Sequence, residues 1–396
     1  MAKLYKHQSD WLRDNVSKPR AALWWQAGVG KSAVAARYLK YRGIEGLVIC
    51  PKGLVLNWQK ELLMWGAEAM VISKEEFKKY EGVHPYIIVD ECDTFASAGF
   101  KSALSKALRS YIKKHDPHVL LCSATPYRSN PMNIFVLASF LGHAWNYKRF
   151  QETYFSMIWM GQRQIPVIRQ DAAERLIGVI AQIGDVRTLD DCVDVPEQVD
   201  EVIDVGETKE QVREKRNLQD IVPIAHFTAE HRIESLGNKI ERVVRLCEEH
   251  PKIAIVGRYR FQLARYKEAL KGVGKPVYEI HGDISTQERE EVVERVARKD
   301  ACVILIQSAT VEGYSLGSIP TMVFASCDWS YRNYIQCRGR IQRINSVKKN
   351  LYVHLVCGDA DRAIMAAMAR QSDFDVVKYM RERKADHGGG TKVRSR

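Results

Sequence analysis

Two series of short, β-branched apolar runs, separated by stretches of helical pattern, restrict this chain more than any other feature. The first series is residues 21–25, 47–50, 86–90 and 119–122; the second is 253–256, 277–280, 303–306, 322–325 and 351–356. A strand that is apolar along its whole length has both faces buried. Strands of that kind alternating with helices pair in parallel under helical cover. Two such series predict an α/β chain of two tandem lobes, each a mainly parallel sheet covered by helices. The 396 residues are ample for that.

Between the series the sequence turns polar, with Thr-Lys-Glu-Gln-Val-Arg-Glu-Lys-Arg-Asn at 208–217. We therefore expect a first lobe at 1–205, a helical linker or brace at 206–232, a second lobe at 233–382 and a flexible basic tail at 383–396. The helix at 210–216 is expected to be solvated.

Composition removes several classes. With 46% apolar and 27% charged residues, the chain reads as globular rather than disordered. No apolar run approaches the roughly 20 residues that cross a bilayer, and the first residues lack the apolar core of a secretory signal. The expectation is a cytoplasmic protein, nucleoid-associated when bound to DNA, not secreted and without a membrane partner. The nine cysteines are scattered singly with no C-x-x-C pair, against a zinc site or disulfide framework. A formal charge of +12 makes a polyanionic partner plausible, since lysine and arginine gain free energy by displacing counterions from phosphates.

Chemistry enters at Gln26-Ala-Gly-Val-Gly-Lys-Ser32, which follows the first apolar run and precedes a helical stretch. In that setting Gly28, Val29 and Gly30 can turn backbone N–H groups toward phosphates at a helix N-terminus. Lys31 can reach the β- and γ-phosphates, and the Ser32 hydroxyl can ligate Mg²⁺. The usual first glycine of such a loop is replaced by Trp25. The similar Gly272-Val-Gly-Lys-Pro276 lies after a helix and before a strand, and its proline replaces the hydroxyl. That copy reads as a helix end and turn.

A second signal is Tyr86-Ile-Ile-Val-Asp90-Glu91-Cys92-Asp93, two acids directly at a strand's carboxyl end, where α/β sheets bind ligands. Asp90 would hold Mg²⁺, and Glu91 would orient and deprotonate the attacking water.

Together these residues resemble superfamily 2 helicases. Asp90-Glu-Cys-Asp93 resembles their D-E-x-D/H box, Ser123-Ala-Thr-Pro126 their third motif, and Tyr5-Lys-His-Gln8 the upstream glutamine that recognises adenine. Gln336-Cys-Arg-Gly-Arg340-Ile-Gln-Arg343 resembles the sixth motif, Q-x-x-G-R-x-x-R, whose arginines act as fingers on the γ-phosphate. Within the superfamily the chain is most similar to the Swi/Snf branch of DNA translocases. The stretch from Cys50 through Trp58 to Glu61 resembles C-P-x-x-L-x-x-N-W-x-x-E. His281-Gly282 with Arg289, Asp328-Trp329-Ser330 and Arg343-Ile344-Asn345 resemble further segments of that branch. Of the fifth motif, residues 308–316 keep Ala309, Gly313 and Leu316.

The resemblance implies two RecA-like lobes with the ATP cleft between them, ATP and Mg²⁺ as cofactors, and a nucleic-acid partner, double-stranded DNA bound with little sequence preference. Lys31, Asp90, Glu91, Arg340 and Arg343 would be catalytic; Gln8, Gly313 and Gln336 would join the nucleotide site; Ser123 and Thr125 would couple ATP to movement. Lys52, Trp58, Arg258, His281 and Trp329 are candidate nucleic-acid contacts, with core packing the competing reading for both tryptophans. Residues 155–160, Phe-Ser-Met-Ile-Trp-Met, are expected in the core. The implied activity is an ATP-driven translocase. The alternatives are a strand-separating helicase and a non-hydrolysing nucleic-acid-binding scaffold.

Overall fold

The computed structural model describes residues 3–43, 45–97, 99–124, 126, 132–160, 163–192, 198–218, 222–310, 313–342, 349–376, 378–380 and 382–383. The chain divides into two compact units, Met1–Val195 and Pro196–Arg396.

In the first unit the strands are β1 (Arg20–Trp25), β2 (Gly46–Cys50), β3 (Ala69–Ser73), β4 (Tyr86–Asp90), β5 (His118–Cys122), β6 (Phe155–Met160), β7 (Arg163–Ile168) and β8 (Asp185–Arg187). Six form one sheet in the order β3-β2-β4-β5-β1-β8, and every pairing in it is parallel. Alternate residues of a strand feed opposite faces: Ala22 and Trp24 join one apolar cluster, while Ala21, Leu23 and Trp25 join the other. Both faces therefore need apolar side chains, which is why the runs are continuous rather than alternating.

The second unit contains β9 (Gln198–Asp204), β10 (Lys252–Gly257), β11 (Val277–Ile280), β12 (Cys302–Gln307), β13 (Thr321–Phe324) and β14 (Asn350–Val356). They form a second sheet in the order β11-β12-β10-β13-β14-β9, again wholly parallel. Ala254 and Val256 face one cluster, and Ile253 and Ile255 the other. The expected fold class, two α/β units each built on a parallel sheet, is the observed one.

Three details differ from the sequence reading. The units meet at Val195 and Pro196, ahead of the expected border at 205, because β9 pairs along its whole length with β14. Its residues are mostly polar and half-exposed, as suits a sheet edge, so they carry no apolar run. The expected linker folds into helices Lys209–Arg216 and Pro223–Glu234, both in the second unit. The first is only partly solvated: Gln211 is buried and donates to the Ile233 carbonyl at 2.7 Å. Residues 155–160 are not core. They pair with β7 as an antiparallel hairpin outside the main sheet, with Phe155 buried at its base and Trp159 69% exposed. A two-stranded ribbon cannot bury both its faces, so apolar content alone did not place it. The expected tail lies outside the described residues beyond 383.

All nine cysteines are unpaired, and eight of them are buried, in keeping with small apolar core residues. Among the described residues no helix is long and apolar enough to cross a membrane.

The second unit carries a buried charged network. Lys239, fully buried, donates to the Ala325 carbonyl at 2.7 Å and lies 2.6 Å from Asp361 Oδ2. His231 Nε2 is 3.4 Å from the other oxygen of Asp361. Glu234, also buried, accepts from the amides of Ala360 and Asp361 at the start of helix Asp359–Ala369 and pairs with Lys215. Burial opposes ionisation of Asp361, but the adjoining Lys239 and His231 outweigh it and hold its carboxyl below the usual range. Removing one member of such a pair strands a charge in the core. Asp361→Ala should therefore lower stability by about 3–5 kcal/mol, read from the urea transition of the second unit; a loss below about 1 kcal/mol would contradict that role.

Candidate nucleotide and nucleic-acid sites

Parallel pairing puts the carboxyl ends of all six strands in the first sheet on one edge. Three segments emerge there: residues 26–30 after β1, the acids after β4, and Ser123 after β5, the strand between them. The first closes onto helix Lys31–Arg42 as a strand–loop–helix unit. Gly28 and Gly30 take φ of 89° and 92°, a region that favours glycine. Lys31 Nζ donates to the Trp25 carbonyl at 2.7 Å, curling back across its own loop. Trp25, in place of the usual glycine, is fully buried, and its indole donates to Asp185 Oδ2 at 2.5 Å.

Gln8 is brought against this loop by helix Lys6–Asn15. Its Nε2 donates to the Val29 carbonyl at 3.1 Å, and its Oε1 accepts from the Tyr5 amide at 2.9 Å. His7 Nε2 also lies 3.3 Å from the Val29 carbonyl. At the other end, Gln26 accepts from the Leu189 amide at 2.9 Å, so the loop is braced from both sides.

Asp90 ends β4 with its carboxylate buried. Oδ2 accepts from the Trp58 indole at 2.8 Å and Oδ1 from the Glu91 amide at 3.0 Å. Burial and the neighbouring Glu91 charge push its pKa up to about 6; the Trp58 hydrogen bond and the Lys31 charge act the other way. Glu91 has φ of 48°, left-handed backbone that a side chain adopts at a cost of order 1 kcal/mol. The sharp turn after the strand puts both acids at the sheet edge. Ser123 Oγ donates to Asp93 Oδ1 at 3.2 Å, both side chains fully buried, which joins the third-motif segment to the acid box. Thr125 lies outside the described residues.

In the second unit the arginine segment forms helix Tyr331–Ile341, between β13 and β14. Arg340 donates from its guanidinium to the Tyr314 carbonyl at 2.6 Å, and its own carbonyl accepts from the Leu316 amide at 2.8 Å. The loop at Gly313, with φ of 93°, is thus held directly against the arginine helix. Gln336 is buried on that helix, and its Oε1 has no hydrogen-bond partner among the described residues. Arg343 lies outside the described residues.

The carboxyl edge of the second sheet gathers most of the candidate nucleic-acid contacts. Asp328, after β13, accepts from Arg258 at 2.7 Å, Ser308 at 2.9 Å, the Ser330 amide at 3.2 Å and Asn333 at 3.3 Å. Burial opposes its ionisation, yet the Arg258 charge and these donors hold it below the usual carboxylate range. Arg258 also covers the Trp329 ring at 4.2 Å. Trp329 is half-buried against Phe227, with its indole nitrogen unpartnered among the described residues. His281, half-buried, follows β11 at the same edge. In the first unit Lys52 is exposed, whereas Trp58 is completely buried and cannot stack on a base. Trp58 as a nucleic-acid contact is therefore corrected. Sequence reasoning also missed Ser308, Asn333 and Tyr314 as partners, because hydrogen bonds between distant segments leave no local signature.

Comparison with known proteins adds four findings. Residues 238–345 match the family model described as Helicase conserved C-terminal domain. The chain is 22% identical over 330 residues to the Drosophila melanogaster SWI/SNF-related matrix-associated actin-dependent regulator of chromatin subfamily A-like protein 1, covering 76% of this chain and 43% of that protein. It is 23% identical over 138 residues to the ATP-dependent RNA helicase DBP3 of Vanderwaltozyma polyspora, covering 35% of this chain and 26% of that one. The solved Sulfolobus solfataricus SWI2/SNF2 ATPase core in complex with dsDNA matches with 17% identity and a TM-score of 0.42, covering 93% of this chain and 91% of that one. The chain spans less than half the length of the curated relatives it matches. Residues 238–345 therefore carry a likeness to the helicase C-terminal domain, and over most of its length the chain is similar in sequence to a SWI/SNF-related protein.

The braced loop makes a comparative prediction. A Cβ at Gly30 would sit 2.2 Å from Gln8 Nε2, whereas one at Gly43, also at positive φ, meets nothing within 4 Å among the described residues. Both substitutions by alanine carry backbone strain of about 1–2 kcal/mol. Gly30→Ala should push the Gln8 amide off the Val29 carbonyl and weaken binding of a fluorescent ATP analogue more than Gly43→Ala does. Equal effects of the two variants on that binding would show that Gln8 does not brace the loop.

Proposed function

We propose that this chain is an ATP-hydrolysing motor that tracks along double-stranded DNA. The observation that carries the reading is the shared edge of the first sheet, where the Lys31 loop, the Asp90–Glu91 pair and Ser123 lie on adjacent strand ends. On this reading the backbone of Gly28, Val29 and Gly30 and the amine of Lys31 hold the phosphates. Gln8 reads the adenine. Glu91 takes the proton of the attacking water. Arg340 and Arg343 would neutralise charge on the γ-phosphate, which would tie hydrolysis to movement.

Magnesium fits the donors present. Ser32 offers a hydroxyl and Asp90 a carboxylate, hard oxygens of the kind Mg²⁺ combines with substrate phosphates rather than with a full protein cage. When bound, the ion would neutralise charge developing on the phosphate oxygens. Lys52, Arg258 and His281 would face the phosphate backbone, a contact that carries little sequence information and weakens with salt. The duplex is favoured as substrate by the Swi/Snf-like character of the sequence, and the cytoplasm or nucleoid is the expected location.

One observation favours the reading of strand separation: the β6–β7 hairpin presents Trp159, an aromatic ring that could part stacked bases. Triplex displacement without unwinding would identify the translocase. Duplex unwinding that Trp159→Ala abolishes would identify the helicase.

ATP hydrolysis should rise with duplex DNA more than with single-stranded DNA or RNA, and Glu91→Gln should lower the rate by at least about 100-fold. Equal low rates in wild type and variant would leave only a binding scaffold. The pH dependence follows from Asp90. Its carboxyl, with a pKa of about 6, is protonated as pH falls, and a proton competes with the metal. Affinity for Mg²⁺ in the presence of ADP should therefore drop about tenfold from pH 7 to pH 5. Asp90→Asn should reduce that dependence to the part set by the terminal phosphate of ADP, whose last ionisation also falls at about pH 6; the same dependence in the variant would exclude Asp90 as the ligand.

A further inference from the structure

Trp58 lies on helix Val55–Trp65, which reaches β2 through the short turn Lys52–Leu54. Its ring is fully buried in the apolar cluster that also contains Val48, Cys50 and Ile88. From there the indole nitrogen points at one acceptor, Asp90 Oδ2, at 2.8 Å. The other oxygen of that carboxylate is held by the Glu91 amide at 3.0 Å. Each carboxylate oxygen accepts at two lone-pair sites. Two donors, one from a distant helix and one from the adjacent backbone, therefore fix the carboxylate plane while leaving one site on each oxygen for a ligand.

The choice of an indole has a chemical reason. It donates one hydrogen bond and accepts none, so it cannot coordinate the ion in the carboxylate's place. Being locked in the core, it cannot swing away. A buried hydrogen bond to a charged acceptor is also stronger than a neutral one. The first unit uses this pairing elsewhere, with Trp25 on Asp185 at 2.5 Å and Trp65 on Glu61 at 3.0 Å. Only the Trp58 pair involves an acid proposed for chemistry.

We propose that Trp58 is a positioning residue for the metal-bearing carboxylate: its indole N–H sets the orientation in which Asp90 meets Mg²⁺. The proposal rests on the ATPase reading above but has a readout independent of turnover. Its reach is through Asp90, since the Trp58 ring is fully buried and its one side-chain hydrogen bond goes to that carboxylate.

The first arm is the Mg²⁺ dependence of ATP hydrolysis in Trp58→Phe. The half-activating Mg²⁺ concentration should rise about tenfold, as expected for losing a hydrogen bond to a charged group. At saturating Mg²⁺ the rate should recover to within about threefold of wild type. A folded variant with unchanged half-activating Mg²⁺, or with a rate lowered equally at every Mg²⁺ concentration, overturns the proposal. The second arm needs no variant at position 58. In an indole ¹⁵N–¹H spectrum of the full chain, one tryptophan signal should move when Mg²⁺ and ADP are added, and Asp90→Asn should shift that same signal and remove its response. Should Trp58→Phe fail to fold, this arm decides alone: no indole signal sensitive both to Mg²⁺ with ADP and to Asp90→Asn means no such role. A wild type without ATPase activity would sink the motor reading, whereas the spectral response would still test the link between Trp58 and Asp90.

Discussion

Parallel pairing within each sheet is the constraint on which the rest depends. It buries both faces of every central strand, which demands continuous apolar runs and covering helices. It also sends every strand's carboxyl end to the same edge. In the first unit that edge collects the Lys31 loop, Asp90 with Glu91, and Ser123. In the second it collects Arg258, His281, Ser308, Asp328 and Trp329. Residues far apart in sequence become neighbours because the topology allows them nowhere else.

Electrostatics then separates the roles of the two edges. In the first unit a buried acid, Asp90, is kept near the point of losing its charge, because burial and Glu91 oppose ionisation while Trp58 and Lys31 support it. Such a group responds strongly to an arriving cation. In the second unit Asp328 is held ionised by Arg258 and three further donors. It acts as a fixed strut for Arg258 rather than as a responsive ligand. Arg340 is steadied in another way, by the Tyr314 carbonyl. Guanidinium groups held in place lose less freedom when they engage a phosphate.

The core strands were legible in the sequence because full burial forces a pattern that few other structures need. Runs 47–50, 86–90 and 119–122 appear as strands at or within one residue of those bounds. Most edge elements were not legible: β9 is polar, β8 has three residues and the β6–β7 hairpin is apolar yet exposed, whereas the edge strand β11 was read at 277–280. The places of Lys31 and Asp90 were readable because a glycine loop directly follows one apolar run and an acid closes another. Trp58 was not, since nothing local distinguishes a tryptophan that packs from one that also donates to an acid 32 residues away. The family pattern drew attention to the position but suggested a base instead of a carboxylate.

Lys31 and Arg340 are proposed to act on a single triphosphate. A double-mutant cycle on DNA-stimulated ATP hydrolysis, using Lys31→Ala and Arg340→Ala, tests this directly. Residues that stabilise the same transition state are non-additive, so the double variant should be scarcely slower than the worse single variant, with a coupling of about 2 kcal/mol or more. Losses that simply add, giving a coupling near zero, would mean that the two segments serve separate sites.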